Sequence, residues 1–292
     1  MTTTNRTQHI AIYGKGGIGK STTTSNIAAA LADSGHKVVQ IGCDPKSDST
    51  NTLRGGRYLP TVLDAARDGA KVKLSDVSTS GFRGVLCIEA GGPVPGVGCA
   101  GRGINAAIEL LRELRLFEEY QPDVVLYDVL GDVVCGGFAV PIREGLTDRV
   151  YVVSSSDFMA VYAANNLFRA VAKYAPSGGA RLGGVIANSM TASFAKPLLD
   201  DFAHTTGTRI VGYVPRSTTV AQAELYGQTV IEASPTSEQA AVYRSLAERI
   251  ATDKTAVVPK PLAVNDLREW ARSWGDVILR GEQGVVEDRA GI

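Results

Sequence analysis

The sequence has no long apolar run, no excess charge of either sign and few cysteines. No apolar stretch approaches the ~20 residues of a membrane-spanning helix. Residues 1–8 are polar and lack the apolar region of a signal peptide, so we expect a cytoplasmic protein without a membrane partner. The formal net charge of zero argues against a nucleic-acid partner bound by bulk electrostatics.

The four cysteines form no C-x-x-C pair, which disfavours a zinc ribbon. In a long chain expected in the cytoplasm they are not expected to form disulfides. Cys43 ends a predicted strand and Cys87 lies inside one, where burial as a small apolar side chain is the simplest interpretation. Cys99 and Cys135 lie instead in glycine-rich turns.

Glycine is concentrated between an apolar strand-like run and a helical pattern that begins at Lys20. The segment 14–21 fits the pattern G-x-x-x-x-G-K-[ST], in which backbone N–H groups surround phosphate oxygens. Lys20 is predicted to reach the β- and γ-phosphates and Ser21 to bind Mg²⁺. The sequence therefore predicts a nucleotide phosphate site whose loop consists of Gly14, Lys15, Gly16, Gly17, Ile18 and Gly19.

Lys15 is a second feature of this loop. A lysine directly after the first glycine is not needed to bind phosphate within its own chain. The loop resembles that of the deviant Walker A ATPases, in which such a lysine crosses a dimer interface to the partner's nucleotide. Lys15 therefore suggests a working homodimer, although a solvated loop lysine remains the simpler alternative.

Strand-like and helical segments alternate along the chain, with strands expected at 37–43, 85–90, 123–127, 149–154, 181–187 and 209–214. This alternation predicts an α/β fold of the P-loop NTPase type, with a mostly parallel sheet flanked by helices on both faces. Without a linker-like segment before about residue 254, we expect one ATPase domain over 1–280 and a polar C-terminal tail over 281–292.

Functional residues of open parallel sheets gather at the carboxyl ends of the strands. Asp44 and Asp128 each follow an apolar strand, which suits Mg²⁺ binding or orientation of the attacking water. Residues 128–131 also have the D-x-x-G form of a γ-phosphate-sensing switch. For either aspartate a loop-capping carboxylate is the alternative.

Cys99 and Cys135 are predicted at the same edge as the nucleotide. A [4Fe–4S] cluster requires four ligands, and only these two cysteines have a glycine-rich setting. A two-fold axis would supply the other two from a second chain, giving one cluster per dimer. Ligation by all four cysteines of one chain, or two buried structural thiols, are the alternatives.

Taken together, these motifs closely resemble the nitrogenase iron protein family over about residues 8–265. The matching segments are 14–21, Gly-Cys-Asp-Pro-Lys at 42–46, Pro-Gly-Val-Gly-Cys-Ala-Gly-Arg-Gly at 95–103, Tyr-Asp-Val-Leu-Gly-Asp-Val-Val-Cys-Gly-Gly-Phe at 127–138 and Val-Pro-Arg at 214–216.

The resemblance implies a homodimer with MgATP on each subunit and one [4Fe–4S] cluster bridged by Cys99 and Cys135. ATP-driven closure would pass electrons from an external ferredoxin- or flavodoxin-type donor to a separate heteromeric catalytic component. The catalytic positions would be Lys15, Asp44 and Asp128. Further positions matching the family's nucleotide site are Lys20, Ser21, Thr22, Lys46, Asn188, Pro215, Gln239 and Tyr243. Arg102 matches a docking-face arginine that some relatives modify by ADP-ribosylation.

Several positions depart from the nitrogenase pattern. The chain has Ala187 and Ser217 where nitrogenase iron proteins usually have cysteine and aspartate, and lysines at 71 and 73 replace an acidic stretch. These changes favour a nitrogenase-like partner, with methylthio-alkane reductase preferred. Nitrogenase proper and the nickel-tetrapyrrole reductase are the alternatives, and the chlorophyll-pathway reductases fit least. Residues Arg102, Arg143, Glu144, Lys71 and Lys73 are expected to form the docking face.

Two other classes of P-loop ATPase also remain as alternative functions. One is a P-loop ATPase that assembles or carries iron–sulfur clusters, although such proteins usually have a C-x-x-C near the C-terminus, which is absent here. The other is a partitioning or septum-positioning ATPase, which needs no iron.

Overall fold

The structure is a computed structural model that describes residues 6–67, 71–92, 100–131, 139–143 and 146–282. Its strands are β1 (Gln8–Gly14), β2 (Val38–Gly42), β3 (Ser78–Ser80), β4 (Leu86–Glu89), β5 (Val124–Asp128), β6 (Arg149–Ser154), β7 (Arg181–Met190) and β8 (Ile210–Pro215). Its helices are α1 (Lys20–Asp33), α2 (Val62–Arg67), α3 (Leu74–Val77), α4 (Ala100–Glu113), α5 (Leu116–Tyr120), α6 (Val140–Arg143), α7 (Phe158–Tyr174), α8 (Ala195–Thr205), α9 (Thr218–Leu225), α10 (Val230–Ala233), α11 (Glu238–Thr252) and α12 (Val264–Glu282).

The strands form one sheet in the order β3-β4-β2-β5-β1-β6-β7-β8. Every neighbouring pair is parallel except β3 with β4. The first strand, β1, lies between β5 and β6. Because parallel strands run in one direction, Gly14, Gly42 and Asp128 lie at the same edge of the sheet. The predicted α/β architecture is confirmed.

Helices cover both faces of this sheet, and β1 shows how the sequence sorts its side chains between them. Ile10 and Ile12 pack in the cluster that contains α1 and α11 side chains, whereas Ala11 and Tyr13 pack with α4 and α7. All four side chains are fully buried. A strand that is apolar on both faces is the pattern expected for the interior of a covered parallel sheet.

Several elements lie outside the sequence prediction, among them β3, α5, α10 and α12. Strand β3 is a polar three-residue edge strand, and α12 is the last of the described helices. The indole nitrogens of Trp270 and Trp274 on α12 both donate to the Asp201 carboxylate, at 2.8 and 2.7 Å, and so attach α12 to α8. Among the described helices, none combines the length and the apolar character needed to cross a membrane.

Candidate functional site

The loop between β1 and α1 has the backbone form of a phosphate-binding turn. It begins at Gly14, where β1 ends, and reaches α1 at Lys20. Gly17 and Gly19 have φ angles of +78° and +84°, a conformation that glycine adopts without steric cost. A Cβ built on Gly16 or Gly17 meets no atom within 4 Å. This side of the loop is therefore open to phosphate oxygens, as the sequence predicts.

Lys20 and Asp128 form a buried ion pair directly beneath that loop. Asp128 is fully buried and Lys20 is 5% exposed. The Lys20 ammonium donates to Asp128 Oδ1, and it lies 3.3 Å from Ser21 Oγ. The structure thus brings together three residues that the sequence placed in the site, and it adds that the lysine and the switch aspartate contact each other.

The segment after Asp128 packs on the backbone of the phosphate loop. Val129 N donates to Ile12 O on β1 at 2.9 Å. Gly131, the last residue of D-x-x-G, lies against the carbonyl group of Gly14. Because their backbones are in contact, a movement of the phosphate loop would displace residues 128–131, and a movement of residues 128–131 would displace the loop.

A polar network that sequence reasoning did not single out supports Asp128 from the opposite side. Ser49 Oγ donates to Asp128 Oδ2 at 2.5 Å. The next residue, Thr50, donates from its backbone N and its hydroxyl to Glu89 Oε1, at 2.7 and 2.6 Å. Burial raises the pKa of Glu89 from its usual 4.5 to about 7. The sequence signal for this network is Gln40, a polar residue within the otherwise apolar β2.

Asp44 lies in the turn that follows β2 and is 7% exposed. Its Oδ1 accepts a hydrogen bond from Lys46 N at 3.0 Å, so the carboxylate caps its own turn. A Cβ on Gly92 would lie 2.6 Å from Pro45 Cβ, which shows that this turn packs against Gly92. The structure therefore shows Asp44 capping its own loop. That Asp44 acts on Mg²⁺ or on the attacking water stays a prediction, and so does the place of Lys46 in the nucleotide site.

Four further residues match the family's nucleotide site, and one of them, Asn188, contacts the phosphate loop. Asn188 Nδ2 donates to Ile18 O at 2.6 Å. Pro215 and Gln239 line one cleft of about 440 Å³ between β8 and α11. Gln239 is 5% exposed, and its side chain lies beside the Tyr243 hydroxyl. Tyr243 is 1% exposed, and burial raises its pKa to about 12.

Thr22, on the first turn of α1, is partly exposed. Its hydroxyl donates to the Glu224 carboxylate on α9. Glu224 was not singled out from the sequence, because nothing in α9 marks it apart from an ordinary exposed helical glutamate.

The two described cysteines, Cys43 and Cys87, are fully buried. Burial raises the pKa of Cys87 to about 12 and that of Cys43 further, so both are neutral thiols at physiological pH. Because both side chains pack inside the apolar core, neither is open to a cluster shared with a second chain, and the interpretation of Cys87 as a buried small side chain agrees with the structure. Cys99 and Cys135 lie outside the described residues, and their role as ligands stays a prediction. Within the described ranges no group of three or more His, Cys, Asp or Glu side chains could hold a metal ion.

The predicted docking residues are described only in part. Lys71 and Lys73 are exposed, and Lys73 N donates to Asp76 Oδ2 at 2.9 Å at the start of α3. Arg143 is exposed at the end of α6. Glu144 and the side chain of Arg102 lie outside the described residues.

The sequence as a whole is similar to known iron–sulfur proteins. Residues 8–276 match the family model described as 4Fe-4S iron sulfur cluster binding proteins, NifH/frxC family. The chain is 60% identical over 283 residues to nitrogenase iron protein 2 of Paenibacillus durus, an alignment covering 97% of both chains. It is 51% identical over 271 residues to the nitrogenase iron protein of Methanospirillum hungatei, covering 91% of this chain and 96% of the relative.

Solved structures of lower identity share the fold. The MinD cell division protein of Aquifex aeolicus superposes with a TM-score of 0.64 at 21% identity, covering 86% of this chain and 99% of that one. A ParA family ATPase from Chlorobium tepidum gives 0.65 at 17% identity, covering 84% and 99%. At these identities the likeness shows the fold alone, and it confirms the predicted P-loop NTPase fold.

Proposed function

Because the chain belongs to the NifH/frxC family of 4Fe–4S iron–sulfur cluster binding proteins, we propose that it is the iron protein of a nitrogenase-like reductase. As a member of that family it binds a [4Fe–4S] cluster and MgATP and acts as an ATP-dependent electron-transfer component. When bound, the cluster supplies single low-potential electrons. The observation that carries the proposal is the buried contact between Lys20 of the phosphate loop and Asp128 of the switch.

In this mechanism ATP competes with Asp128 for Lys20. The lysine that now donates to Asp128 would donate to the β- and γ-phosphates, and Ser21, 3.3 Å from its ammonium, would ligate Mg²⁺. Asp128 would lose its buried counter-charge, which is costly unless the carboxylate turns toward a new donor or a water molecule. ATP would thus bind Lys20 better in a conformation in which Asp128 is displaced. This difference in binding is what would shift the protein toward that second conformation.

The movement of Asp128 would reach the cluster through a short length of chain. Asp128 lies seven residues before Cys135, and residues 128–131 already pack on the phosphate loop. On the other side, the Asp44 turn packs against Gly92, which lies seven residues before Cys99 in the sequence. Both proposed cluster ligands are therefore connected in sequence to segments that contact the nucleotide site.

The proposed assembly is a homodimer with one cluster between the chains. Lys15 is exposed on the phosphate loop, as a lysine that reaches across a dimer interface must be. Two cysteines from each chain would complete the four thiolates. The burial of Cys43 and Cys87 in the core supports this division over ligation by the four cysteines of one chain.

For the catalytic partner we favour a nitrogenase-like component, with methylthio-alkane reductase as the preferred system. Lys71 and Lys73 are exposed, and they carry positive charge in a segment where the resemblance leads one to expect acidic residues. Charge changes at a rim alter association rate and partner choice. Ser217 Oγ accepts from Thr219 N at 3.1 Å, so it caps α9 without adding a carboxylate beside the nucleotide cleft.

Nitrogenase proper is the second candidate, because the two relatives described above are both named nitrogenase iron proteins. Anaerobic reconstitution with MgATP and dithionite separates the candidates. The protein is combined with either a methylthio-alkane reductase component or a molybdenum–iron component, and product formation is measured. We expect turnover of the methylthio-alkane and little dinitrogen reduction. Full dinitrogen reduction would establish nitrogenase proper instead.

A further inference from the structure

Gln40 is a polar side chain in the interior of the sheet. It lies on β2 between Val39 and Ile41, and all three side chains are fully buried. Its Nε2 lies 3.1 Å from each of three acceptors, which are Ser25 Oγ, Ser49 Oγ and Ser49 O. Its Oε1 has no hydrogen-bond partner in the described part of the chain. Burying an amide with an unpaired oxygen is unfavourable, so stability alone gives no reason for glutamine here.

The orientation of this amide follows from the hydroxyl groups around it. Ser25 Oγ donates its proton to Ser49 O at 2.9 Å, and Ser49 Oγ donates to Asp128 Oδ2 at 2.5 Å. Both hydroxyl protons are thus committed, and both oxygens can only accept from Gln40. The amide must present its nitrogen to them, which leaves Oε1 on the side without a donor.

We propose that Gln40 is a positioning residue for the ATP response. By donating to the Ser49 oxygen, it directs the Ser49 proton toward Asp128. Asp128 Oδ2 is then held while Oδ1 contacts Lys20. When ATP binds Lys20, an Asp128 carboxylate fixed at Oδ2 cannot simply rotate, so the backbone of 128–131 moves. Without the hydrogen bond to Oδ2, the Asp128 side chain would rotate and the backbone would stay in place. This inference rests on the proposed function, in which Asp128 senses ATP.

The test compares wild type with Gln40→Met, which has similar length and no donor. The first readout is the rate of iron removal by a chelator with MgATP, divided by the rate with MgADP. We expect this ratio to fall about 2- to 10-fold toward one, the effect of losing one hydrogen bond. The dissociation constant for MgATP should change by less than about twofold, because Gln40 does not contact the phosphate loop. The unfolding midpoint should not fall, since the unpaired Oε1 is also removed.

A second readout does not depend on iron. In wild type, MgATP should change hydrogen exchange at residues 44–53, and in Gln40→Met this change should be smaller. Ser49→Ala should reduce the iron-removal ratio as Gln40→Met does. If Gln40 acts through Ser49, the double variant loses no more than Ser49→Ala alone.

Ile41→Val is the matched control, because Ile41 is equally buried on the opposite face of the same strand. It should lower the unfolding midpoint and leave the ratio unchanged. Three results would each overturn the proposal. They are a wild-type iron-removal ratio in folded Gln40→Met, additive losses of the ratio in the double variant, and a loss of the ratio in Ile41→Val equal to that in Gln40→Met. A wild-type protein whose iron removal and hydrogen exchange ignore ATP would contradict the proposed function itself.

Discussion

Gly131 contacts Gly14 so closely that a Cβ on Gly131 would lie 2.1 Å from the Gly14 carbonyl oxygen. A real Cβ cannot approach a carbonyl oxygen to that distance, and the atom it meets belongs to the backbone, which cannot rotate away as a side chain could. The final residue of D-x-x-G is therefore glycine because the switch segment packs directly on the phosphate loop.

Gly131→Ala should separate these two segments. We expect a loss of stability of about 1–3 kcal/mol, the usual effect of overpacking, together with weaker MgATP binding. Urea denaturation and titration with MgATP measure the two effects. Gly275→Ala is the control, since a Cβ added to Gly275 in α12 would meet no atom within 4 Å. That substitution should stabilise the protein by about 0.5–1 kcal/mol and leave MgATP binding unchanged. Wild-type stability and binding in Gly131→Ala would show that the contact is not needed.

The phosphate loop and its surroundings were predictable because their signals are local. A run of glycines before Lys20 fixes the turn, and the apolar strand before Asp128 places that carboxylate at the same sheet edge. The ion pair between Lys20 and Asp128 was not predicted, because residues 108 positions apart meet only through the strand order. Sequence spacing indicates which edge a residue reaches but does not indicate its partner.

The missed elements lack such signals. The strand β3 has three polar residues, too few to show alternation, and it pairs with β4 at the edge of the sheet. Ser49 and Thr50 look like ordinary loop residues in the sequence. Their roles become visible only when β5 brings Asp128 beside Ser49 and β4 brings Glu89 beside Thr50. Gln40 carried a usable signal, since a glutamine within a buried strand requires a partner.

Removing the buried carboxylate at Asp128 should cost far more than breaking an exposed pair. Asp128→Ala leaves Lys20 without a counter-charge, and we expect a loss of about 3–5 kcal/mol in the free energy of unfolding. Lys196→Ala breaks the exposed pair with Asp200 and should cost less than about 1 kcal/mol. Urea denaturation at neutral pH measures both. Equal losses would show that the buried pair contributes little.

Glu89 should make stability depend on pH. Its pKa is raised from 4.5 to about 7 by burial, so between these values the folded chain holds a proton that the unfolded chain has released. The free energy of unfolding therefore falls as pH rises through this window, by at most ~3 kcal/mol. Glu89→Gln has no such proton, so the advantage of wild type over the variant should shrink between pH 5 and pH 8. A difference that is constant across that range would contradict the assignment.

Alanine substitutions of the cysteines should differ sharply in their effect on the iron content of the protein. Anaerobically purified wild type should contain roughly four irons per two chains, the content of one shared cluster. Cys99→Ala and Cys135→Ala should each lose the iron and the brown colour. Cys87→Ala should keep both, because Cys87 is fully buried inside the sheet. Full iron content in Cys135→Ala would remove the basis for a bridging cluster.

The coupling of ATP to the cluster is tested most directly by one comparison on the anaerobic wild-type protein. The rate at which a chelator removes iron is measured with MgATP and again with MgADP. Because ATP should take Lys20 from Asp128 and displace the segment that leads to Cys135, iron removal should be faster with MgATP. Equal rates with the two nucleotides, in protein that binds both, would contradict an ATP-driven electron carrier.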